Sequence, residues 1–86
     1  MAVTVLLPGL LATESGGQKR FELDAATIEA ALKQLPVADL LFDERGELRP
    51  LVNVFVDGED MRARDGAATK LEGGETVRVV AAIAGG

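Results

Sequence analysis

The sequence contains no cysteine and no histidine, and these two absences exclude much of the chemistry that small enzymes use. Without cysteine there is no disulfide, no thiol nucleophile and no cysteine-based metal site. Without histidine the chain lacks the commonest general acid–base group and metal ligand. An enzyme built from this chain would have to work with Asp, Glu, Lys, Ser and Arg alone, so we expect no catalytic residue and no metal site in it.

Aromatic residues are also scarce, because the chain has three phenylalanines, no tryptophan and no tyrosine. Its core must therefore be built from aliphatic side chains. The chain has 86 residues, which limits it to one domain that buries roughly 60% of its unfolded surface. A core of this size leaves no room for a deep active-site cavity.

Positive charge is in the minority, since 9 lysines and arginines stand against 14 acidic residues, for a net charge of −5. This balance argues against nucleic acid and anionic membrane surfaces, which both reward clustered basic side chains. No apolar run approaches the roughly 20 residues of a membrane span. The first residues also lack the basic region of a signal peptide. We therefore expect a cytoplasmic protein whose partners are other proteins.

Apolar runs, several with a period of two, predict the β-strands of the chain. A dipeptide typical of tight turns, Asp57-Gly58, separates two of them. The predicted strands are Val3–Leu7, Lys19–Leu23, Leu51–Val56, a short returning strand at Glu59–Arg62, and Glu75–Ile83.

One helix is predicted after Thr27, whose hydroxyl is suited to accept a hydrogen bond from a first-turn N–H group. Its apolar stripe has the spacing i, i+3, i+4, i+7, and Glu29 and Lys33 form an i, i+4 ion pair on the wet side. Pro36 ends this helix. Residues 67–71 are expected to form one helical turn, while residues 10–15 and 37–50 show no assignable pattern. The stripe consists of Ile28, Ala31, Leu32 and Leu35.

The order strand, strand, helix, strand, short strand, strand predicts an α+β protein. Because the helix has one apolar face, it should pack on one face of a single mixed sheet of four to five strands. This is the β-grasp, or ubiquitin-like, arrangement, in which the first and last strands run parallel at the centre. We assign residues 1–86 to one domain with a tail at residues 84–86.

Alternation along the strands divides the apolar side chains between the two sheet faces. The face away from the helix is mostly polar, and its apolar exceptions surround one arginine. We predict that these residues form a partner-binding patch that continues into the tail; the alternative is scattered surface side chains with a solubilising charge. The patch consists of Leu6, Phe55, Arg78 and Val80, followed by Ile83 and Ala84.

The sequence ends in Gly85-Gly86, directly after the last predicted strand. A residue without a Cβ lets the backbone lie against the walls of a narrow channel. A side chain at the last position would crowd the terminal carbonyl. A carboxylate becomes electrophilic once a partner enzyme adenylates it with ATP. We therefore predict that Gly86 is the reactive residue and Gly85 its spacer.

Several segments along the whole chain resemble the bacterial sulfur carriers of the MoaD/ThiS superfamily, which includes the small subunit of molybdopterin synthase and the thiamine carrier. The closer resemblance is to the carrier of the thiocarboxylate-dependent cysteine pathway of actinobacteria. Residues 37–50 match least, and no proline precedes the tail, where these families often have one. The matching segments are residues 16–19, 52–62, 67–69, 74–77 and 82–86.

The resemblance implies a cycle that is carried out by partner enzymes. An activating enzyme of the ubiquitin-activating type adenylates Gly86, and a sulfur donor converts it to a thiocarboxylate. A sulfur-accepting synthase, in the cysteine pathway one that uses pyridoxal phosphate and O-phosphoserine, takes the sulfur, and a metallopeptidase releases the product. ATP, pyridoxal phosphate and zinc then belong to these partners. A carrier that enters their active sites by its tail is expected to be a monomer.

Four other functions stay open from the sequence. The chain could be a ubiquitin-like modifier that is joined to lysines through Gly86, or the small subunit of a molybdopterin synthase. It could deliver sulfur to a natural product by the same carrier chemistry. It could also be a passive β-grasp interaction module whose tail has no use.

Overall fold

The computed structural model describes residues 2–81 of the chain, which form one sheet and three short helices. The strands are β1 (Ala2–Leu6), β2 (Arg20–Asp24), β3 (Val52–Val56), β4 (Glu59–Asp60) and β5 (Thr76–Ala81). The helices are α1 (Gly9–Glu14), α2 (Ile28–Lys33) and α3 (Ala38–Leu41), with 3₁₀ turns at Met61–Ala63 and Gly66–Ala68.

The five strands lie in the order β2-β1-β5-β3-β4. Strands β1 and β5 are parallel neighbours, with Thr4 beside Thr76, and every other pair is antiparallel. The first and last strands therefore lie side by side within the sheet, as the sequence predicted. The α+β, β-grasp architecture is confirmed.

The core lies between the sheet and the helices and is almost entirely aliphatic. The strand valines on the helix side of the sheet are buried, while Phe21 and Leu23 are half-buried on the edge strand and pack against the core. The apolar stripe predicted for α2 is buried as well. The buried strand residues are Val3, Val5, Val52, Val54, Val56, Val77 and Val79, and Leu7 follows β1.

Helix α2 begins as the sequence predicted. The Thr27 hydroxyl accepts a hydrogen bond from the N–H of Ala30 at 3.1 Å, which satisfies one of the first-turn donors. Lys33 Nζ lies 2.7 Å from the Glu29 carboxylate on the exposed side. The helix ends at Lys33, before Pro36.

Two helices fall where the sequence showed no pattern. Helix α1 buries Leu11 and Ala12, and α3 buries Leu41. Both are too short to display a repeating apolar stripe, and helices of this length gain their stability from tertiary packing. No helix in the described range, residues 2–81, is long and apolar enough to cross a membrane.

The predicted strand Glu59–Arg62 is wrong in its second half. Strand β4 has only two residues, because the Asp60 carboxylate accepts a hydrogen bond from the N–H of Arg62 at 2.8 Å and starts a 3₁₀ turn. This turn brings Met61 into the core. The chain therefore leaves the sheet edge where alternation suggested that it continued.

The predicted helical turn at residues 67–71 is a 3₁₀ turn that lies slightly earlier, at Gly66–Ala68. The buried Thr69 hydroxyl fixes its end, since it donates to the Gly66 carbonyl at 2.7 Å and accepts from the N–H of Asp65 at 3.1 Å. The following residues extend beside the start of α2, where Leu71 N–H donates to the Ala26 carbonyl at 2.8 Å. Packing against α2 thus ends the turn.

Candidate functional site

Strand β5 is the element that precedes the predicted reactive terminus in the chain. It pairs with β1 on one side and with β3 on the other, and Ala81 at its end lies opposite Val52. The predicted site residues Ile83, Ala84, Gly85 and Gly86 lie outside the described residues, so their roles stay predictions. The structure describes the strand that precedes them, which is hydrogen-bonded to a neighbouring strand on each side.

The outer sheet face brings four predicted partner-binding residues together. Cross-strand register places one residue from each strand in a single row, in which apolar and charged side chains alternate. In this row Arg78 has Leu6 on one side and Phe55 on the other. The full row is Arg20, Leu6, Arg78, Phe55 and Asp60.

Val80 extends this group along β5, two residues beyond Arg78 on the same face. Its side chain is 41% exposed, among the most exposed large apolar residues of the described chain. We call Leu6, Phe55, Arg78 and Val80 the outer-face patch. It is half-exposed to exposed throughout, so it offers contiguous apolar area around one cation.

Two shallow depressions meet at the outer-face patch. One contains Phe55, Asp57 and Thr76, the other contains Leu6, Pro8 and Lys19, and both are lined by Arg78 and Val80. Because these last two side chains form the ridge between the depressions, a partner that covers one depression also contacts the other. Lys19 and Pro8 were not predicted as part of this surface.

Arg78 carries the unpaired charge of the patch. Within residues 2–81 no carboxylate oxygen lies within 4.0 Å of its guanidinium. Asp60, at the end of the row, is already bound by Arg62, with Nη2–Oδ2 and Nε–Oδ1 distances of 3.0 and 3.3 Å. These side-chain hydrogen bonds from Arg62 lower the pKa of Asp60. The Arg78 guanidinium is therefore available for an ion pair with a carboxylate of a partner.

The acidic residues of the β3–β4 turn are engaged by their own neighbours. Asp57 Oδ1 accepts from the N–H of Thr76 at 3.0 Å, and Glu59 Oε1 lies 3.6 Å from Arg64 Nε. Both Asp57 and Gly58 have positive φ, 49° and 86°, which is the geometry of a type I′ turn. Among the described residues, no three side chains of the metal-ligating types come together as a metal site.

A further depression lies on the other side of the molecule, between α2, α3 and the loop that follows α3. Lys33 Nζ lies 5.5 Å from the centroid of the Phe42 ring there and is paired with Glu29. Asp39, Asp43 and Arg49 also line it. The charges are of both signs and Lys33 is already paired with Glu29, so the depression does not present one sign of charge to a ligand.

Comparisons with known proteins give one consistent family. The sequence profile described as the ThiS family matches residues 5–86. The sulfur carrier protein CysO of Mycobacterium tuberculosis is 34% identical over 93 aligned residues, covering 100% of both chains.

Solved structures agree with this match. The crystal structure of M. tuberculosis CysO superimposes with a TM-score of 0.80 at 30% identity, covering 94% of this chain and 99% of that one. The Amycolatopsis orientalis BexX/CysO complex contains a chain with a TM-score of 0.81 at 30% identity, covering 99% and 100%. Small archaeal modifier protein 1 of Haloferax volcanii, at 21% identity and a TM-score of 0.81, shares the fold. The chain belongs to the ThiS family.

Proposed function

We propose that this chain is a cytoplasmic sulfur carrier of the cysteine-forming type, which carries sulfur as a thiocarboxylate on Gly86. The observation that supports it most is the full-length match to the sulfur carrier CysO, over 100% of both chains. The ThiS family match runs to residue 86 and includes both terminal glycines. The chain acts as a substrate of partner enzymes.

In the proposed cycle, an activating enzyme joins the Gly86 carboxylate to the α-phosphate of ATP, and pyrophosphate leaves. A sulfur donor then attacks the acyl carbon, AMP leaves, and the terminus becomes a thiocarboxylate. The sulfur attacks an electrophilic carbon held by a second enzyme. The product is then joined to Gly86, and a metallopeptidase releases it by hydrolysis, which regenerates the Gly86 carboxylate. ATP, pyridoxal phosphate and zinc are bound by the partners.

The residues of this chain hold the terminus and present it. Strand β5 is paired on both sides, so a partner can handle the residues after Ala81 while the sheet stays fixed. The outer-face patch is the proposed docking surface. Leu6, Phe55 and Val80 supply apolar area that a partner can bury, and the unpaired Arg78 favours a partner with a carboxylate at the matching position.

The test is to measure sulfur on Gly86 directly. The chain, with an untagged C-terminus, is incubated with its activating enzyme, ATP and a sulfide source, and then analysed by intact and fragment mass spectrometry. We expect one oxygen to be replaced by one sulfur at Gly86, and we expect the product to react with an alkylating reagent. Oxidation of Met1 or Met61 gives nearly the same mass change, so fragments must locate the shift.

A variant without Gly85 and Gly86 is the matched control, because it keeps both methionines and loses the proposed acceptor. It should show no alkylatable sulfur. If Gly86 of the full chain stays unchanged while the same activating enzyme loads another carrier, the thiocarboxylate proposal is wrong. Isopeptide-linked conjugates in place of a thiocarboxylate would instead identify a protein modifier.

A further inference from the structure

The outer edge of β2 has an open set of backbone hydrogen-bonding groups. The N–H of Leu7 donates to the Lys19 carbonyl at 2.8 Å. Every second residue from Lys19 onward, namely Phe21 and Leu23, therefore turns its backbone N–H and C=O groups toward β1. Antiparallel alternation then turns the N–H and C=O groups of Arg20 and Glu22 away from β1. Within residues 2–81, no strand lies on that side, because β2 is the first in the sheet order.

Two glutamine side chains reach over this edge from opposite ends. Gln18 Nε2 donates to the Arg20 carbonyl at 2.9 Å. Gln34 Nε2 donates to the Asp24 carbonyl at 2.6 Å and to the Ala30 carbonyl at 3.3 Å. The Arg20 carbonyl is an acceptor that any strand added along β2 would use, and the Asp24 carbonyl is one that a strand reaching the end of β2 would use. Proteins prevent edge-to-edge pairing by covering their sheet edges, and these two side-chain amides cover part of this one.

The opposite edge of the sheet is short. Strand β4 has two residues and then turns into the 3₁₀ segment at Met61–Ala63. Short edge strands resist strand addition because they offer few hydrogen bonds. Strand β2, with five residues, is therefore the longer of the two edges and the one where covering side chains matter.

The sequence of β2 is complementary to itself. Suppose that β2 of a second copy pairs antiparallel with this edge and that Arg20 lies opposite Glu22 of that copy. The outward N–H and C=O groups of the two residues then hydrogen-bond to each other. Each Arg20 then faces a Glu22, and Phe21 lies opposite Phe21 of the second copy on the helix side. Opposite charges and aromatic pairs across strands are stabilising. Arg20 and Glu22 are free to reorient, since their 3.2 Å ion pair is 66% and 64% exposed.

We propose that the outer edge of β2 is a latent self-association surface, which can take a second copy of this chain only when it is uncovered, and that Gln18 and Gln34 keep it closed. Closing the edge maintains single copies, so that the outer sheet face and the C-terminal residues of each remain accessible. This inference concerns β2 alone and does not depend on the proposed sulfur chemistry.

Replacing both glutamines tests the proposal. Gln18→Ala with Gln34→Ala should shift the mass in sedimentation equilibrium from the 9.0 kDa of one chain toward twice that value, in a concentration-dependent way. The unmodified chain should keep the mass of one copy at the same concentrations. A double variant that is folded by circular dichroism and keeps the single-copy mass contradicts the proposal.

Charge reversal distinguishes association in the stated register from non-specific association. Adding Arg20→Glu to the glutamine double variant places like charges opposite each other and should restore the single-copy mass. Adding Arg20→Glu and Glu22→Arg together should bring association back. If Arg20→Glu leaves the association unchanged, the register is wrong.

A measurement on the unmodified chain is independent of all variants. Amide hydrogen exchange should be fast at Glu22, whose N–H faces solvent, and slow at Phe21, whose N–H faces β1. Equal protection of these two amides would mean that the edge is already covered, and would overturn the proposal.

Discussion

Among single residues, Arg78 has the clearest expected effect on partner recognition. Arg78 lies between Leu6 and Phe55 in the cross-strand register, and its guanidinium has no carboxylate partner within residues 2–81. Arg78→Glu reverses the charge at the centre of the outer-face patch. We expect kcat/KM for thiocarboxylate formation to fall by roughly tenfold or more, with the larger loss at low salt, because charge complementarity accelerates encounter.

Arg45→Glu is the control for this prediction. Arg45 is exposed in the loop between α3 and β3. Its replacement by glutamate changes the net charge of the chain by the same amount as Arg78→Glu does. The rate should stay within about twofold of the unmodified chain, since exposed charges outside an interface contribute little. Equal losses for the two variants would show that total charge, and not the outer-face patch, controls the reaction.

Glu75 is the residue whose ionisation is expected to affect stability. Its carboxylate accepts hydrogen bonds from the N–H groups of Glu72 and Gly73, both at 2.7 Å. The bond from Glu72 is the main reason why the pKa of Glu75 lies below its ordinary value of 4.5. These bonds close the turn at Gly73 and Gly74, where φ is 115° and 86°, just before β5 begins.

Glu75→Gln should lower the free energy of unfolding at pH 7 by about 1 kcal/mol, a value reduced for the partial exposure of the group. A lowered pKa stabilises the fold above the unfolded value, and this contribution is lost as pH falls through the folded value. The difference between the two proteins should therefore shrink as the pH drops below 4.5. Urea unfolding across this range measures it, and a difference that is independent of pH would contradict the assignment.

Some residues of the site were predicted from the sequence and others were missed. The difference is whether a residue's position depends on its own strand or on the pairing of separate strands. Leu6, Phe55, Arg78 and Val80 were found because strand alternation alone assigns a side chain to a face. Lys19 was missed as part of the same surface, since its place beside Arg78 and Val80 depends on the pairing of separate strands. The two hydrogen bonds of Glu75 were missed for a similar reason: they depend on a turn with two positive φ angles.

Helix α2 depends on a single side-chain cap, and this gives a prediction for the element. Thr27→Ala removes the acceptor of the Ala30 N–H and should destabilise the protein by about 1 kcal/mol in urea unfolding. Thr13→Ala is a suitable control. The Thr13 hydroxyl donates to the Gly9 carbonyl on the exposed side of α1, and its loss should change stability by less than about 0.5 kcal/mol. Equal effects would show that the Thr27 cap is not a special feature of α2.

The elements were predicted in proportion to their length and regularity. Strand β3 and helix α2 have clean periods of two and of three to four, so the sequence located both. Helices α1 and α3, with six and four residues, have too few positions to show a period. Strand β4 was extended too far because alternation cannot reveal that the Asp60 carboxylate caps a turn.

The whole molecule should unfold from its edges inward. Strand β5 is paired on both sides, whereas β2 and β4 form the two edges. In amide hydrogen exchange we expect the amides of β5 to be protected at least about a hundredfold more than the amides of β2 that bond to β1, because only global unfolding opens the centre of the sheet. Protection that is uniform across the five strands would mean that the edges open only with the core.

The overall topology followed from the sequence because the order of elements and one apolar helical face leave few ways to cover a sheet. The parallel pairing of β1 with β5 confirmed that inference. The assignment of residues 1–86 to one domain with a tail at 84–86 stays a prediction, since the described part ends at Ala81. Within that part, one hydrophobic core connects the sheet to all three helices.

The position of β5 has a mechanical consequence. A force that pulls on Ala81 in the direction of β5 loads the hydrogen bonds to β1 and β3 in shear. Bonds loaded in shear must break together, whereas those of an edge strand peeled from its end break one after another. An enzyme that draws the chain end into its active site would therefore meet a strand that resists extraction, and the pulling force would fall on the contacts between the two proteins.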